Sequence, residues 1–156
     1  WKTQPALLPP EVRDEGITYS EAELITMFME EPTQQLAREI TWVHRCKLGQ
    51  TITLSSLHMG PVRILHMPGE LNVEYQLAAS EMRPDLFVAM AAYGDLGPGY
   101  ICTRASYPKG GYEASRVSRV SPGVEEVLTS GMRNLLDARE SSVMPSDFTM
   151  QKQPVS

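Results

Sequence analysis

Several features that indicate particular protein classes are scarce or missing in this sequence of 156 residues. No apolar run approaches the roughly 20 residues that a membrane-spanning helix needs, so we expect no transmembrane segment. Basic residues are outnumbered, with 14 Lys and Arg against 19 Asp and Glu. The net charge of −5 therefore gives no electrostatic reason to expect nucleic acid as a partner. The length and the remaining composition predict one globular domain.

Cysteine is equally sparse, and a signal peptide pattern is missing. Cys46 and Cys102 could form one disulfide or none, and neither lies in a CxxC motif or a Cys/His cluster. The disulfide state stays open. The chain begins at Trp1 without an initiator methionine, and no charged stretch is followed by an apolar one. We therefore expect it to be an excised or processed piece of a longer protein.

The first third of the chain predicts an extended segment followed by two helices. Residues 1–19 hold three prolines and no sustained period, which predicts an extended arm or linker. Ser20 and Glu23 have the spacing of a capping box at the start of a helix over about 20–31. A second helix follows and is expected to end at Gly49.

After residue 50 the pattern predicts a small α/β sheet with a βαβ core. The stretch TITLSSL and the run VRILHM predict two strands, which could form a hairpin. Residues 70–82 have the apolar spacing of a helix, and LFVAMAAY predicts a strand buried on both faces. We expect this strand, helix and strand to form a right-handed βαβ unit.

The last part of the chain predicts a long loop, a closing helix and a tail. Residues 94–115 are rich in glycine and tyrosine, which predicts a structured loop at the end of a central strand, where α/β proteins often place their sites. Pro122 begins a helix that closes the domain. The predicted domain covers residues 20–138, and residues 139–156 form a predicted flexible tail.

Few residues in these segments indicate chemistry without further information. Glu70 could be an acid held at a site, or a helix-start acid stabilised by the helix dipole by about 0.3–1 kcal/mol. GDLGPG, at residues 94–99, has the glycine spacing of a phosphate loop, but Pro98 lacks an N–H donor and no helix follows. The remaining candidates are the loop tyrosines Tyr100, Tyr107 and Tyr112, which could simply pack, and His44, His58 and His66, which share no metal-ligand spacing.

Three stretches taken together carry a family resemblance. MPGELNVEYQL, AAYGDLGPGYICTRASY and GGYEAS resemble the latter part of the catalytic domain of neutral (non-lysosomal) ceramidases and of bacterial ceramidase-like proteins. The match covers about residues 50–137. It depends on the order and spacing of PGE, of GYxxT, of a tyrosine four residues after that threonine, and of YE.

The resemblance implies a zinc-dependent amide hydrolase that acts on N-acylated lipids. In this family two histidines, a glutamate and a tyrosine bind zinc, and a zinc-bound water attacks the amide. The matching motifs place the glutamate at Glu70 and the ligand tyrosine at Tyr100. They place at Tyr112 a second tyrosine that lies beside the reacting carbonyl. The resemblance also implies a secreted or periplasmic protein.

The sequence departs from the family pattern at the remaining ligands. The two zinc-binding histidines of the family lie upstream of the matched region, and His44, His58 and His66 do not occupy their motifs. We therefore expect zinc to bind only with ligands from outside this chain, such as the N-terminal portion of the same protein, and the isolated chain to be inactive. The alternative is a non-catalytic or degenerate α/β module that binds no metal.

Overall fold

The computed structural model describes residues 1–14, 17–94 and 97–138. It confirms the α/β class, with two N-terminal helices, a small sheet with a βαβ core and a closing helix. None of the helices in these ranges combines the length and apolarity needed to cross a bilayer. The strands are β1 Lys2–Ala6, β2 Val12–Asp14, β3 Ile17–Tyr19, β4 Ile52–Met59, β5 Val62–Pro68, β6 Glu70–Leu71, β7 Phe87–Gly94 and β8 Tyr100–Ile101, and the helices are α1 Glu21–Glu30, α2 Gln34–Lys47, α3 Val73–Met82 and α4 Val124–Leu136.

The main sheet has four strands in the order β1, β4, β5, β7. Strands β4 and β5 form the expected antiparallel hairpin, with Met59 paired to Val62 at the turn. Strand β7 then pairs with β5 in parallel after the chain passes through α3, so the predicted βαβ unit is confirmed. Two short strand pairs, β2–β3 antiparallel and β6–β8 parallel, lie outside this sheet.

The hydrophobic core between the sheet and the two later helices continues to buried residues of α1 and α2. Helix α4 packs against β1, β4, β5 and α3, and α3 packs against β7. Leu128, Met132 and Leu135 are spaced at helical intervals on α4 and are buried, and Leu54 and Leu65 of the sheet are fully buried in the same core. The amphipathic helix from Pro122 predicted in the sequence therefore closes the domain as expected.

The N-terminal segment differs from the predicted arm or linker. Lys2–Ala6 pairs antiparallel with β4, in the register of Lys2 with Ser56, and so adds an outer strand to the sheet. Proline argues against a central strand, and for this reason the sequence predicted no strand here. Pro5 lies in an outer strand, where its missing N–H breaks no central ladder. The predicted domain start at residue 20 is not where the sheet begins. The predicted tail at 139–156 lies outside the described residues.

Helix α3 begins later than the sequence predicted. The helix starts at Val73, and Glu70–Leu71 is a short strand whose neighbours are Tyr100–Ile101. The Glu70 N–H donates to the carbonyl oxygen of Gly99 at 2.9 Å, so this donor is used between chain segments and not at a helix end. The explanation of Glu70 as a helix-start acid is therefore wrong.

Strand β7 is not buried on both faces, contrary to the prediction. It is the last strand of the sheet, and only Val88 and Gly94 along it are buried. Phe87 at its start is 67% exposed. A continuous apolar run predicts a central strand, but the position of that strand in the sheet depends on what packs beside it.

A buried ion pair attaches α2 to the loop that precedes α4. The Glu39 carboxylate is completely buried, and the Arg116 guanidinium donates to both of its oxygens at 3.0 Å. Gln35 also donates to Glu39 at 3.0 Å. The Trp42 indole N–H adds a second link to this loop, since it donates to the Arg119 carbonyl oxygen at 2.8 Å. These bonds hold α2 against the loop that precedes α4.

We expect Arg116→Ala to lower the free energy of unfolding by about 3–5 kcal/mol, because the substitution leaves the Glu39 carboxylate buried without its counter-charge. Chemical denaturation followed by circular dichroism measures the loss. Arg104→Ala is the matched control, since Arg104 pairs with Glu126 on the surface and such pairs contribute about 1 kcal/mol or less. Equal small losses in the two variants would contradict the structural importance of the buried pair.

Candidate functional site

The candidate site lies where β5 and β7 end, at the carboxyl edge of the parallel pair. Gly69 follows β5 with a positive φ of 62°, and its carbonyl oxygen accepts from the Tyr93 N–H at 2.7 Å. Glu70 then pairs with Tyr100, which follows the glycine-rich loop after β7. The two chain segments converge at this edge, which is the usual position of sites in α/β proteins.

Three glycines make this convergence possible by allowing unusually close backbone contact. A Cβ atom on Gly69 would lie 2.6 Å from the Gly99 carbonyl oxygen. A Cβ on Gly97 would overlap the backbone of Gly69, and one on Gly99 would overlap the Val117 carbonyl oxygen. Gly97 and Gly99 of GDLGPG therefore have a packing role that accounts for them without a phosphate. Asp95 and Leu96 of the motif lie outside the described residues.

Glu70 is the centre of a small group of phenols. In the β6–β8 pair, Glu70 and Tyr100 are direct partners, and neighbouring strands lie about 4.8 Å apart. A hydrogen bond to the Glu70 carboxylate, with burial and the carboxylate charge, raises the pKa of the Tyr93 phenol. Burial, followed by the charge of Glu70, raises the pKa of Tyr100. The structure therefore brings two phenols to one carboxylate.

Tyr112 joins this group at its outer side, whereas Tyr107 does not. The Tyr112 ring contacts Tyr100 edge-on, with ring centroids 5.7 Å apart and an interplanar angle of 77°. Tyr112 is 70% exposed, so its phenol is accessible to a ligand. Tyr107 is held elsewhere, because its hydroxyl lies 3.2 Å from the Ser118 hydroxyl and Arg13 stacks over its ring. The packing interpretation thus applies to Tyr107.

A cavity of about 590 Å³ adjoins the carboxylate. Of the three predicted site residues, only Glu70 lines it. Its walls also include Arg38, Arg45 and Arg119, together with Trp42, Tyr93 and residues 97–99. Glu70 and Tyr100 are paired neighbours, but Tyr100 does not line this cavity. The predicted site and the arginines of the cavity wall meet at Glu70.

The residues at this edge of the sheet supply only part of a zinc-binding site. The Glu70 carboxylate and the Tyr100 phenol supply two oxygen donors at one place, which is half of a four-ligand shell. In residues 1–14, 17–94 and 97–138, no group of three or more His, Cys, Asp and Glu side chains could hold a metal. The histidines are dispersed, with His44 beside Glu21, His58 beside the Leu135 carbonyl oxygen and His66 beside Gly94.

Neither cysteine has the properties of a nucleophile. Cys46 and Cys102 are both free and buried. Burial raises the pKa of Cys102 to about 11, so its thiol is protonated at neutral pH and is a weak nucleophile. The sequence left the disulfide state open, and the structure shows no bridge between them.

The sequence prediction missed Tyr93 and the three arginines. Tyr93 lies near the end of β7 with a positive φ of 65°, an uncommon backbone conformation for a residue with a side chain. The rule that sites lie at the carboxyl ends of parallel strands could have indicated it. Arg38 and Arg45 lie on α2 and Arg119 on a distant loop, so no local spacing in the sequence relates all three.

Comparison with known proteins adds little to this geometry. No protein-family model matches the sequence, and no curated protein matches it. Among solved structures, a ceramidase complexed with C2 aligns with 65% of this chain at 16% sequence identity and a TM-score of 0.48. The aligned part is 18% of that ceramidase chain. Similarity at this level does not establish a shared function, so the assignment of the site depends on the residues themselves.

We expect Gly97→Ala to lower the free energy of unfolding by about 3 kcal/mol or more, because the new Cβ would overlap the Gly69 backbone. Thermal and urea unfolding measure the loss. Gly49→Ala is the control: Gly49 has a φ of 74° and open space where a Cβ would stand, so only the backbone strain of about 1–2 kcal/mol applies. A smaller loss for Gly97→Ala than for the control would contradict the close approach.

We expect Glu70→Gln to lower the pKa of the Tyr93 phenol. The carboxylate disfavours the phenolate, so the phenol pKa is raised while Glu70 carries its charge, and a neutral amide removes that effect. The alkaline titration of tyrosine absorbance measures the shift, with Tyr93→Phe to assign it. Glu81→Gln, on the exposed end of α3, should leave the titration unchanged. An unaltered Tyr93 titration in Glu70→Gln would contradict the contact.

Proposed function

We propose that this chain is the C-terminal portion of a ceramidase-like, zinc-dependent amide hydrolase that acts on N-acylated lipids. In this proposal Glu70 and Tyr100 bind the metal, and Tyr112 contacts the reacting group. The part of the ceramidase structure that aligns with this chain is 18% of its length. The remaining ligands come from outside the 156 residues, and the isolated chain is inactive.

The observation that carries the proposal is the direct pairing of Glu70 with Tyr100. These positions lie far apart in the sequence, and each occupies a motif that resembles a metal-ligand motif of the family. Their pairing depends on close contact between glycine backbones, so the two oxygen donors are held by rigid main chain. An accidental motif match would give no reason for two such side chains to be neighbours.

Each side chain has a role that its surroundings support. The Glu70 carboxylate and the Tyr100 phenol are hard oxygen donors of the kind that zinc accepts. When bound, zinc supplies polarisation of the amide carbonyl and a lowered pKa for a coordinated water. The exposed Tyr112 phenol, in edge contact with Tyr100, can donate a hydrogen bond to the oxygen on which charge develops. Tyr93 orients the Glu70 carboxylate through its phenol.

A non-catalytic α/β module is the second candidate. The observation in its favour is that Glu70 already interacts with two phenols. A carboxylate that acts on the Tyr93 and Tyr100 phenols can serve as a structural link between β6, β7 and β8 without a metal. In this case the tyrosines pack the loop onto the body of the domain, and the site performs no hydrolysis.

We expect the natural full-length protein to retain about one zinc ion per molecule after dialysis, and Glu70→Gln to weaken zinc binding by at least about 100-fold, since loss of a supporting partner alone costs 10–100-fold. Elemental analysis and competition with a chelator measure both quantities. Tyr100→Phe should act in the same direction. The 156-residue chain alone should retain no stoichiometric zinc, because it supplies too few ligands.

Glu81→Gln is the matched control for this experiment, because it removes an equal charge from the exposed end of α3 without touching β6. It should leave zinc content and hydrolysis of an N-acyl lipid unchanged. A full-length protein without zinc, or a Glu70→Gln variant that keeps it, would exclude the hydrolase and leave the non-catalytic module.

A further inference from the structure

The cavity beside Glu70 has a basic wall that the proposed hydrolase chemistry does not use. One side of it is a single face of α2, where Arg38, Trp42 and Arg45 follow at intervals of four and three residues. Arg119 lines it from the loop before α4. Glu70 is the only carboxylate among the described residues that line the cavity, so three guanidinium groups face one negative charge. Such a surface attracts anions.

Arg119 is the least satisfied of these cations. Its Nε is buried and has no hydrogen-bond partner among the described residues. Burial lowers the pKa of its guanidinium, although the charge of Glu39 raises it, and the neighbouring charge of Arg38 lowers it further. Buried donors without an acceptor are rare in native proteins, so this one calls for an explanation. No hydrogen bond within the described ranges occupies the terminal nitrogens of Arg119 either, so an oxyanion in the cavity can pair with them.

The other two arginines are able to contribute to the same ligand. Arg38 is exposed and makes no side-chain hydrogen bond or ion pair within the described ranges, so its guanidinium is available. Arg45 uses its Nε to hold Gln50 at 2.9 Å, and no bond within the described part of the chain occupies its terminal nitrogens. Planar guanidinium groups bind carboxylates and phosphates through paired hydrogen bonds.

We propose that this cavity binds a small molecule through a carboxylate or phosphate group held by Arg119, Arg38 and Arg45, with the Trp42 ring contacting the apolar part. The volume of about 590 Å³ falls within the usual range of small-molecule sites. Glu70 repels the oxyanion and so orients it toward the arginines. This inference stands on the cavity alone and does not depend on zinc.

The test uses the chain after treatment with a chelator, so that a failure of the zinc proposal leaves it unaffected. Inorganic phosphate, N-acetylglycine and the neutral analogue N-acetylethanolamine are titrated separately. Isothermal calorimetry gives the affinities, and the indole N–H signal of Trp42 reports binding in the cavity. We expect phosphate or N-acetylglycine to bind, and the neutral analogue to bind at least about tenfold more weakly, since it lacks the charge that the guanidinium groups pair with. Whichever anion binds more tightly identifies the group that the site prefers.

Variants then assign the binding to the cavity. Arg119→Gln and Arg38→Gln should each weaken anion binding about tenfold or more, because each removes charge-assisted hydrogen bonds. Arg38 is exposed, so its variant remains informative if Arg119→Gln does not fold. Lys47→Gln is the control, since Lys47 lies on the same helix and pairs with Glu21 outside the cavity. The proposal is overturned if no anion binds, if the neutral analogue binds equally, or if Lys47→Gln weakens binding as much.

Discussion

Close contact between glycine backbones is the constraint on which the rest of the site depends. Gly69 lies against Gly97 and Gly99, and Gly99 lies against the carbonyl of Val117, with no room for a side chain at any of these contacts. Three stretches of chain that are far apart in sequence are joined in this way at the end of the parallel strands. The position of Glu70 beside Tyr100 follows from this contact, because both residues adjoin a glycine in it.

A second constraint is electrostatic and sets the opposite wall of the cavity. The completely buried Glu39 carboxylate is compensated by Arg116, so α2 cannot move away from the loop before α4 without exposing an unpaired charge. Trp42 adds a hydrogen bond to the same loop. The basic face of α2 is therefore held at a fixed distance from the glycine contact. Backbone packing on one side and an ion pair on the other define the cavity between them.

The sequence predicted the parts of this fold that depend on local pattern. The capping box at Ser20, the β4–β5 hairpin, the βαβ unit and the amphipathic closing helix all appear in the structure. It could not predict that Lys2–Ala6 joins the sheet, or that β7 lies at its edge, because strand pairing depends on distant residues. The predicted helix at Glu70 is wrong for the same reason, since the strand partner of Glu70, Tyr100, comes much later in the chain. The family resemblance pointed to Glu70 and Tyr100 as site residues, but nothing local indicated Tyr93 or the arginines.

The exposed position of β7 has a consequence for how the chain behaves in solution. It is an eight-residue, mainly apolar strand at the side of the sheet, and no strand of the described chain pairs with its outer row of N–H and C=O groups in that sheet. Open strands of this composition act as templates for further strands, which leads to aggregation. Phe87 and Tyr93 near its two ends are 67% and 72% exposed and add apolar surface there. Concentrated preparations of the chain should therefore be handled as prone to self-association along this side of the sheet.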